Sequence, residues 1–144
     1  MLFSEISGRT VMSAAEATTL GVVDGLVLAP DRARVAALRL RKTGGSANLL
    51  PWSGIRAVGE DAVMATDRDA LRRPDGELKP LAEASEDLVG KRLLTEAGTD
   101  VGQLVDIDFA ADSGAVLTLR TADDQYPGTA LVSIGSYAAV LRVP

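Results

Sequence analysis

The residues best suited to chemistry in this chain are three aspartates of its second half, Asp106, Asp108 and Asp112. Asp106 and Asp108 alternate along one face of a predicted strand, and Asp112 follows in the next turn. Carboxylate oxygens are the ligands that Ca²⁺ and Mg²⁺ accept. The alternative is that outward charges keep a strand soluble and block pairing at a sheet edge. The spacing is not that of a known calcium loop, so we favour the alternative and predict no metal and no cofactor.

Residues for catalysis are scarce, because the chain contains no histidine and no cysteine. These are the side chains that most often transfer protons near neutral pH, bind transition metals or act as thiol nucleophiles. The serines have no predicted base that would activate them as nucleophiles. We therefore predict a protein that is not an enzyme and has no catalytic residues.

Basic residues concentrate in one stretch of the first half: Arg32, Arg34, Arg39, Arg41 and Lys42. Arg39 and Arg41 alternate along a predicted strand and are candidates for binding a partner. Such a stripe can simply be a solvated strand face, can contact an acidic protein or RNA phosphates, or can face the acidic strand of the second half. Only 3% of the residues are aromatic, so platforms that stack unpaired bases are nearly absent and the composition argues against RNA.

The aromatic candidates for partner binding are Trp52, which is the only tryptophan, and Tyr137. Tryptophan and tyrosine are enriched among the residues that dominate binding energy at interfaces. Either side chain can also fill a core, since a buried tyrosine can keep its hydroxyl at the rim. For Trp52 we favour a place in the core over a place at an interface.

The sequence contains an internal repeat. Gly8-Arg9-Thr10-Val11 is answered by Gly90-Lys91-Arg92-Leu93, and from Gly21 onward equivalent residues recur at a fixed offset, beginning with Gly102 (102 − 21 = 81). Repetition at this period indicates two copies of one supersecondary unit.

Apolar and polar residues alternate within each copy, with glycine punctuation, as is typical of β-strands. The predicted segments are a first repeat at 1–65, a linker at 66–85 and a second repeat at 86–144. In the linker, Thr66 or Asp67 is placed to cap a short helix and Ser85 to cap a single turn.

The second repeat shows the predicted strand pattern most clearly. A long strand over residues 102–110 should point Val105, Ile107 and Phe109 to the core. The strand that returns after the next turn should bury Leu117 and Leu119.

The net charge of −5 is unevenly distributed. Residues 86–144 contain four basic and nine acidic residues, whereas residues 1–65 contain seven and six. A negative protein is a poor ligand for DNA, because Lys and Arg supply most of the affinity for phosphates. No apolar run approaches the roughly 20 residues that span a bilayer, and the first residues lack the features of a signal peptide. We predict a cytoplasmic protein without a transmembrane segment.

Each repeat resembles a PRC-barrel module, the small β-barrel of the photosynthetic reaction centre H subunit and of a ribosome maturation factor. The resemblance depends on the openings "GRTV" and "GKRLL", the strands "GVVDGLVL" and "GQLVDIDF", and the closing "LVSIGSYAAVLRV". It covers residues 4–65 and 86–143. It implies an all-β protein of two tandem PRC-like barrels with pseudo-twofold symmetry. It also implies a non-enzymatic module that docks onto proteins or peripherally onto a membrane complex, without a cofactor.

These observations together favour a protein-binding adaptor whose partner is unknown. Open edges of small barrels suit strand addition, so a homodimer is also expected. The alternative is an RNA-associated factor acting in ribosome assembly, by analogy with the maturation factor. The candidate residues for binding the partner are Arg39, Arg41, Trp52 and Tyr137.

Overall fold

The computed structural model describes residues 1–143, which are predominantly β. Their strands are β1 (Thr10–Ser13), β2 (Thr19–Leu28), β3 (Val35–Arg41), β4 (Leu49–Pro51), β5 (Ile55–Val58), β6 (Ala62–Ala65), β7 (Arg92–Thr95), β8 (Asp100–Gln103), β9 (Asp106–Phe109), β10 (Val116–Arg120), β11 (Gln125–Pro127), β12 (Leu131–Ile134) and β13 (Ala138–Leu141). The α-helices are α1 (Phe3–Ile6) and α2 (Leu78–Ala84), and 3-10 turns cover Trp52–Gly54, Arg68–Ala70 and Gly128–Ala130.

Both halves of the chain have the same strand order. The first half forms one sheet in the order β4-β3-β2-β1-β6-β5. The second half forms two sheets, β11-β10-β9 and β12-β13-β7-β8, which together repeat that order with β2 split into β8 and β9. In each half, the first strand along the chain pairs in parallel with the last strand along the chain, β1 with β6 and β7 with β13. The prediction of a mainly β protein is confirmed, and none of the sheets within residues 1–143 closes into a barrel.

The predicted long strand over residues 102–110 is wrong, because the chain leaves one sheet after β8 and enters another at β9. Val105 lies at this break and is 48% exposed, although its neighbours Ile107 and Phe109 are buried as predicted. Alternation predicts the face of a residue only while the strand is regular.

Alternation also predicts that Leu117 faces the core with Leu119, but its side chain is 50% exposed. The register of β10 against β9 shifts between Val116 and Thr118. A bulge inserts one residue into the pairing and turns the next side chain to the other face. Leu119, beyond the bulge, is buried as predicted.

The basic residue in each repeat's opening has the same structural role. The Arg9 guanidinium donates a hydrogen bond to the Gly59 carbonyl, in the turn between β5 and β6. Lys91 Nζ donates to the Gly135 carbonyl at 2.8 Å, in the equivalent turn between β12 and β13. The repeated "GR" and "GK" pairs therefore hold the closing hairpin of each repeat against its first strand.

The two repeats meet at a short antiparallel bridge between Arg34 and Ala115, which are equivalent under the offset of 81 (115 − 34). The residue after each donates a backbone hydrogen bond to the residue before the other, and both bonds measure 2.8 Å. Such reciprocity is what a local twofold axis between the repeats produces.

The segment that precedes the first strand of each repeat also packs on the other repeat, on β9 in one case and on the end of β2 in the other. The Asp106 carboxylate accepts the backbone N–H of Ser4 at 3.0 Å, which fixes α1 on β9. In return, the backbone N–H of Leu28 at the end of β2 donates to Ser85 Oγ at 3.0 Å. The prediction that Asp106 faces solvent is wrong, because this contact makes it a buried residue.

The linker differs from its prediction. Asp67 precedes only a 3-10 turn, without a side-chain capping bond. Ser85 ends α2 and begins a turn closed by the N–H of Leu88, but its hydroxyl accepts from Leu28 and does not cap that turn. The helix α2 packs on the outer face of the first sheet, over a small apolar cluster. That cluster consists of Val27, Ala37 and Leu49 beneath Leu78, Leu81 and Ala82. The linker therefore completes the packing of the first repeat.

The main core is continuous across the two repeats. Its buried side chains range from Phe3 and Leu38 in the first half to Phe109 and Leu131 in the second. No helix within residues 1–143 is both long and apolar enough to cross a membrane.

We expect Ser85→Ala to destabilise the protein by about 2 kcal/mol, because it leaves the buried N–H of Leu28 without its acceptor. Chemical denaturation measures the change in the free energy of unfolding. Ser53→Ala, at an exposed serine, is the matched control and should stay within about 0.5 kcal/mol of the parent. Equal stability of the two variants would show that the Ser85 contact contributes nothing.

Candidate functional site

The two arginines predicted to bind a partner both have partners inside the chain. Arg39 is half-buried, and its guanidinium donates to the Ala82 carbonyl of α2 at 3.3 Å. Arg41 is exposed and forms an ion pair with Asp24 at 3.2 Å. No ion pair within residues 1–143 joins the basic strand to an aspartate of the second repeat. The alternative in which these strands face each other therefore has no ion pair to support it among those residues.

Trp52 lies where the two repeats meet. Its ring is half-buried and packs edge-on against Phe109, with centroids 6.0 Å apart and planes at 88°. The indole also lies against Gly114, since a Cβ built at that glycine would lie 3.0 Å from two atoms of the ring. The geometry places Trp52 in the contact between repeats, in line with the preference for a core position.

Tyr137 is the candidate whose ring is most available, with 75% of its surface exposed. It precedes Ala138, which pairs in parallel with Arg92 on β7. Arg92 is itself exposed, and its backbone lies one residue from that of Tyr137 across the β7–β13 pair. An exposed aromatic ring and an arginine are thus neighbours on this surface.

Beside Tyr137, the strand register places three residues next to one another. Ala138, Arg92 and Gln103 lie side by side on β13, β7 and β8. Val105 follows two residues after Gln103 and is also exposed. We call these five residues the repeat-2 stripe.

The equivalent row of the first repeat has different chemistry. Ala62, Thr10 and Val22 pair in the same register on β6, β1 and β2. Where the second repeat has Tyr137 and Val105, the first has Asp61 and Asp24. Two exposed apolar side chains thus replace two carboxylates at matched positions.

An ion pair orients the arginine in the middle of the repeat-2 stripe. Arg92 donates a hydrogen bond to the Asp100 carboxylate, whose other oxygen accepts the N–H of Gly102 at 2.9 Å. The bond from Gly102, followed by that from Arg92, lowers the pKa of Asp100 below its ordinary value. The hydrogen bond with Asp100 in turn raises the pKa of Arg92. Both groups are therefore charged throughout the neutral and mildly acidic range.

Two of the three aspartates considered as metal ligands, Asp106 and Asp108, hold the start of the chain instead. The Asp106 carboxylate accepts hydrogen bonds from the backbone N–H and from the hydroxyl of Ser4. The Asp108 carboxylate accepts a hydrogen bond from the amino group of Met1 at 2.9 Å. Within residues 1–143, no group of three acidic side chains converges as metal ligands.

No protein-family model matches this chain, and no curated protein matches its sequence.

Arg92, Gln103 and Val105 are the stripe residues that the sequence did not single out. The available signal was the comparison of equivalent positions, since Val105 stands opposite the charged Asp24 in the repeat alignment. Alternation alone predicts that both positions face the core, where the aspartate would be an imperfection. In the structure both positions are exposed, and β2 has a register shift between Val23 and Gly25 that turns Asp24 outward.

Proposed function

We propose that this protein is a non-enzymatic protein-binding adaptor that docks through the repeat-2 stripe. The observation that carries this proposal is the exposure of Tyr137 and Val105 where the first repeat has Asp61 and Asp24. Exposing apolar groups at matched positions of one repeat costs solubility without stabilising the fold, and is typical of a surface that a partner covers.

The stripe has the composition of a binding surface. Tyrosine and arginine are enriched among interface residues that dominate affinity. Here the exposed Tyr137 precedes Ala138, which pairs with the exposed Arg92. The ion pair with Asp100 holds the Arg92 side chain in one orientation before binding. Less conformational entropy is then lost when a partner contacts it.

The resemblance to PRC-barrel modules supports the same function. We propose that each repeat is a PRC-like unit, based on the repeated strand order and on the parallel pairs of β1 with β6 and β7 with β13. The edge strands β5 and β12 are available for strand addition, which would accommodate a second copy of the chain. The proposed setting is the cytoplasm, including the surface of a membrane complex.

The test is affinity capture with cross-linking from native lysate, with and without nuclease, comparing the parent with matched variants. We expect Tyr137→Ala combined with Val105→Asp to lose about tenfold or more of the captured partner, because truncated hot-spot residues typically cost about 1.4 kcal/mol or more. Leu117→Ser is the control, since it replaces an exposed apolar residue of β10 outside the stripe.

The outcomes separate the alternatives. Capture lost equally in Leu117→Ser would contradict a role for the stripe. Loss only in Arg39→Ala combined with Arg41→Ala would move the interface to the first repeat, as the sequence suggested. Ribosomal proteins that disappear with nuclease would favour the RNA-associated alternative. Self-capture that the stripe variant abolishes would identify the partner as a second copy.

A further inference from the structure

The loop between β3 and β4, residues 42–48, is the largest difference between the two repeats. Arg39 pairs with Leu49 in the first repeat just as Arg120 pairs with Gln125 in the second. The offset between equivalent residues therefore falls from 81 (120 − 39) to 76 (125 − 49), so the first repeat has five extra residues in this loop. The extra residues include Gly44, Gly45 and Ser46. The second repeat makes the same strand pairing without them, so the fold itself does not require them.

The linker brings arginines to this loop. Leu49 and Arg72 form an antiparallel bridge, with N···O distances of 2.7 Å and 3.0 Å. In an antiparallel pair the next residue of one chain lies beside the previous residue of the other, so Arg73 is placed beside Asn48. Arg68 is held by its backbone N–H, which donates to the Glu16 carboxylate at 3.0 Å.

The loop and the linker line an open, shallow depression of about 450 Å³. Its walls are the loop residues 43–47 on one side and Arg68, Asp69, Leu71 and Arg73 on the other. Lys42 adds an exposed positive charge at the start of the loop. Asp69 is the only acidic residue in the lining, so the depression is net positive.

The backbone N–H groups and the guanidinium groups around this depression are free to bind a ligand. Within residues 1–143, the backbone N–H groups of 43–47 donate no hydrogen bond. The side chains of Arg68 and Arg73 likewise form no ion pair there. Gly44 and Gly45 have no atom within 4 Å of where a Cβ would lie, so a ligand can approach their backbone closely.

The second repeat provides the contrast. Its equivalent loop is short and contains Asp123 and Asp124, which repel an anion. The lengthened loop, the free N–H groups and the unpaired arginines therefore occur together in the first repeat, and the second has no counterpart within residues 86–143.

We propose that the β3–β4 loop and the facing linker arginines bind the phosphate group of a phosphate monoester. Successive backbone N–H groups of a glycine-containing loop form a concavity that suits a tetrahedral oxyanion. Guanidinium groups add charge-assisted hydrogen bonds to phosphate oxygens, which are stronger than neutral ones. This site is distinct from the repeat-2 stripe, so failure of either proposal leaves the other intact.

The test is titration of the full chain with inorganic phosphate and with O-phosphoserine, followed by NMR of backbone amides and by calorimetry. We expect the amide resonances of Gly44, Gly45 and Ser46 to shift with both ligands. We expect R68Q combined with R73Q to weaken binding by about tenfold or more, because each lost charge-assisted bond costs about 1.5–3 kcal/mol. R34Q combined with R56Q removes the same charge at exposed arginines outside the depression and should leave the affinity unchanged.

Tighter binding of O-phosphoserine than of inorganic phosphate would assign the site to a phosphorylated side chain, and equal affinity would assign it to the free anion. Shifts confined to other residues, or equal weakening by R34Q combined with R56Q, would overturn the proposal. A short single-stranded RNA that binds through the same amides more tightly than either ligand would also overturn it, in favour of nucleic acid.

Discussion

Gly128→Ala is expected to destabilise the protein by about 3 kcal/mol. A Cβ at this position would lie 2.4 Å from the carbonyl oxygen of Val116 and 2.9 Å from its carbonyl carbon. These are backbone atoms of β10, which is paired with β9 and β11 on its two sides. Because Val116 also donates its N–H to Ala33 of the other repeat at 2.8 Å, the strand cannot move away without breaking the contact between repeats.

Urea unfolding followed by the fluorescence of the single tryptophan measures this effect. Gly45→Ala is the control, because no atom lies within 4 Å of the point that its Cβ would occupy, and its stability should change by less than about 1 kcal/mol. A Gly128→Ala variant as stable as Gly45→Ala would mean that the turn at 128–130 can move away from β10.

Trp52→Ala should have a loss of similar size, about 3 kcal/mol, at the lower end of the range for buried tryptophan because the ring is half-buried. The substitution removes the contacts of the indole with Phe109 and with Gly114, and leaves a cavity where the two repeats meet. We therefore also expect a less cooperative transition, since each repeat can then unfold with less influence on the other.

Circular dichroism is the measurement, because the variant has no tryptophan to follow. Tyr137→Ala is the control: it also truncates an aromatic ring, but one that is 75% exposed, and should change stability by no more than about 0.5 kcal/mol. If Trp52→Ala unfolded at the same urea concentration as Tyr137→Ala, the indole would be a surface group available to a partner.

The architecture was predictable to the extent that it depends on the repeat. Leu38 and Leu119, matched by the offset, are both fully buried on equivalent strands, β3 and β10. Turn glycines and alternating apolar residues predicted most strand positions, because both are local properties of the chain. Aligning the two repeats also pointed to Val105, because its equivalent in the first repeat is the charged Asp24. Alternation alone predicts that Val105 is buried.

What could not be predicted depends on register and on distant contacts. Bulges turned Asp24 and Leu117 outward, and a shift of one residue leaves no mark in composition. Asp106 is buried because Ser4, at the other end of the chain, reaches it. Tyr137 is exposed because it lies in the turn between β12 and β13, and the sequence does not show which parts of the fold pack around that turn.

The bridge between Arg34 and Ala115 has one further consequence. Two identical chains meeting at a twofold axis would place the same residue on both sides of it, and every substitution would appear twice. Here both sides belong to a single polypeptide, so each half can change alone. Trp52 has a large side chain where the equivalent residue of the second half, Gly128 (128 − 52 = 76), has none. The β3–β4 loop of the first half is basic, whereas the equivalent loop of the second half is acidic. Covalent fusion thus keeps the packing of a symmetric pair and gives the molecule two different faces.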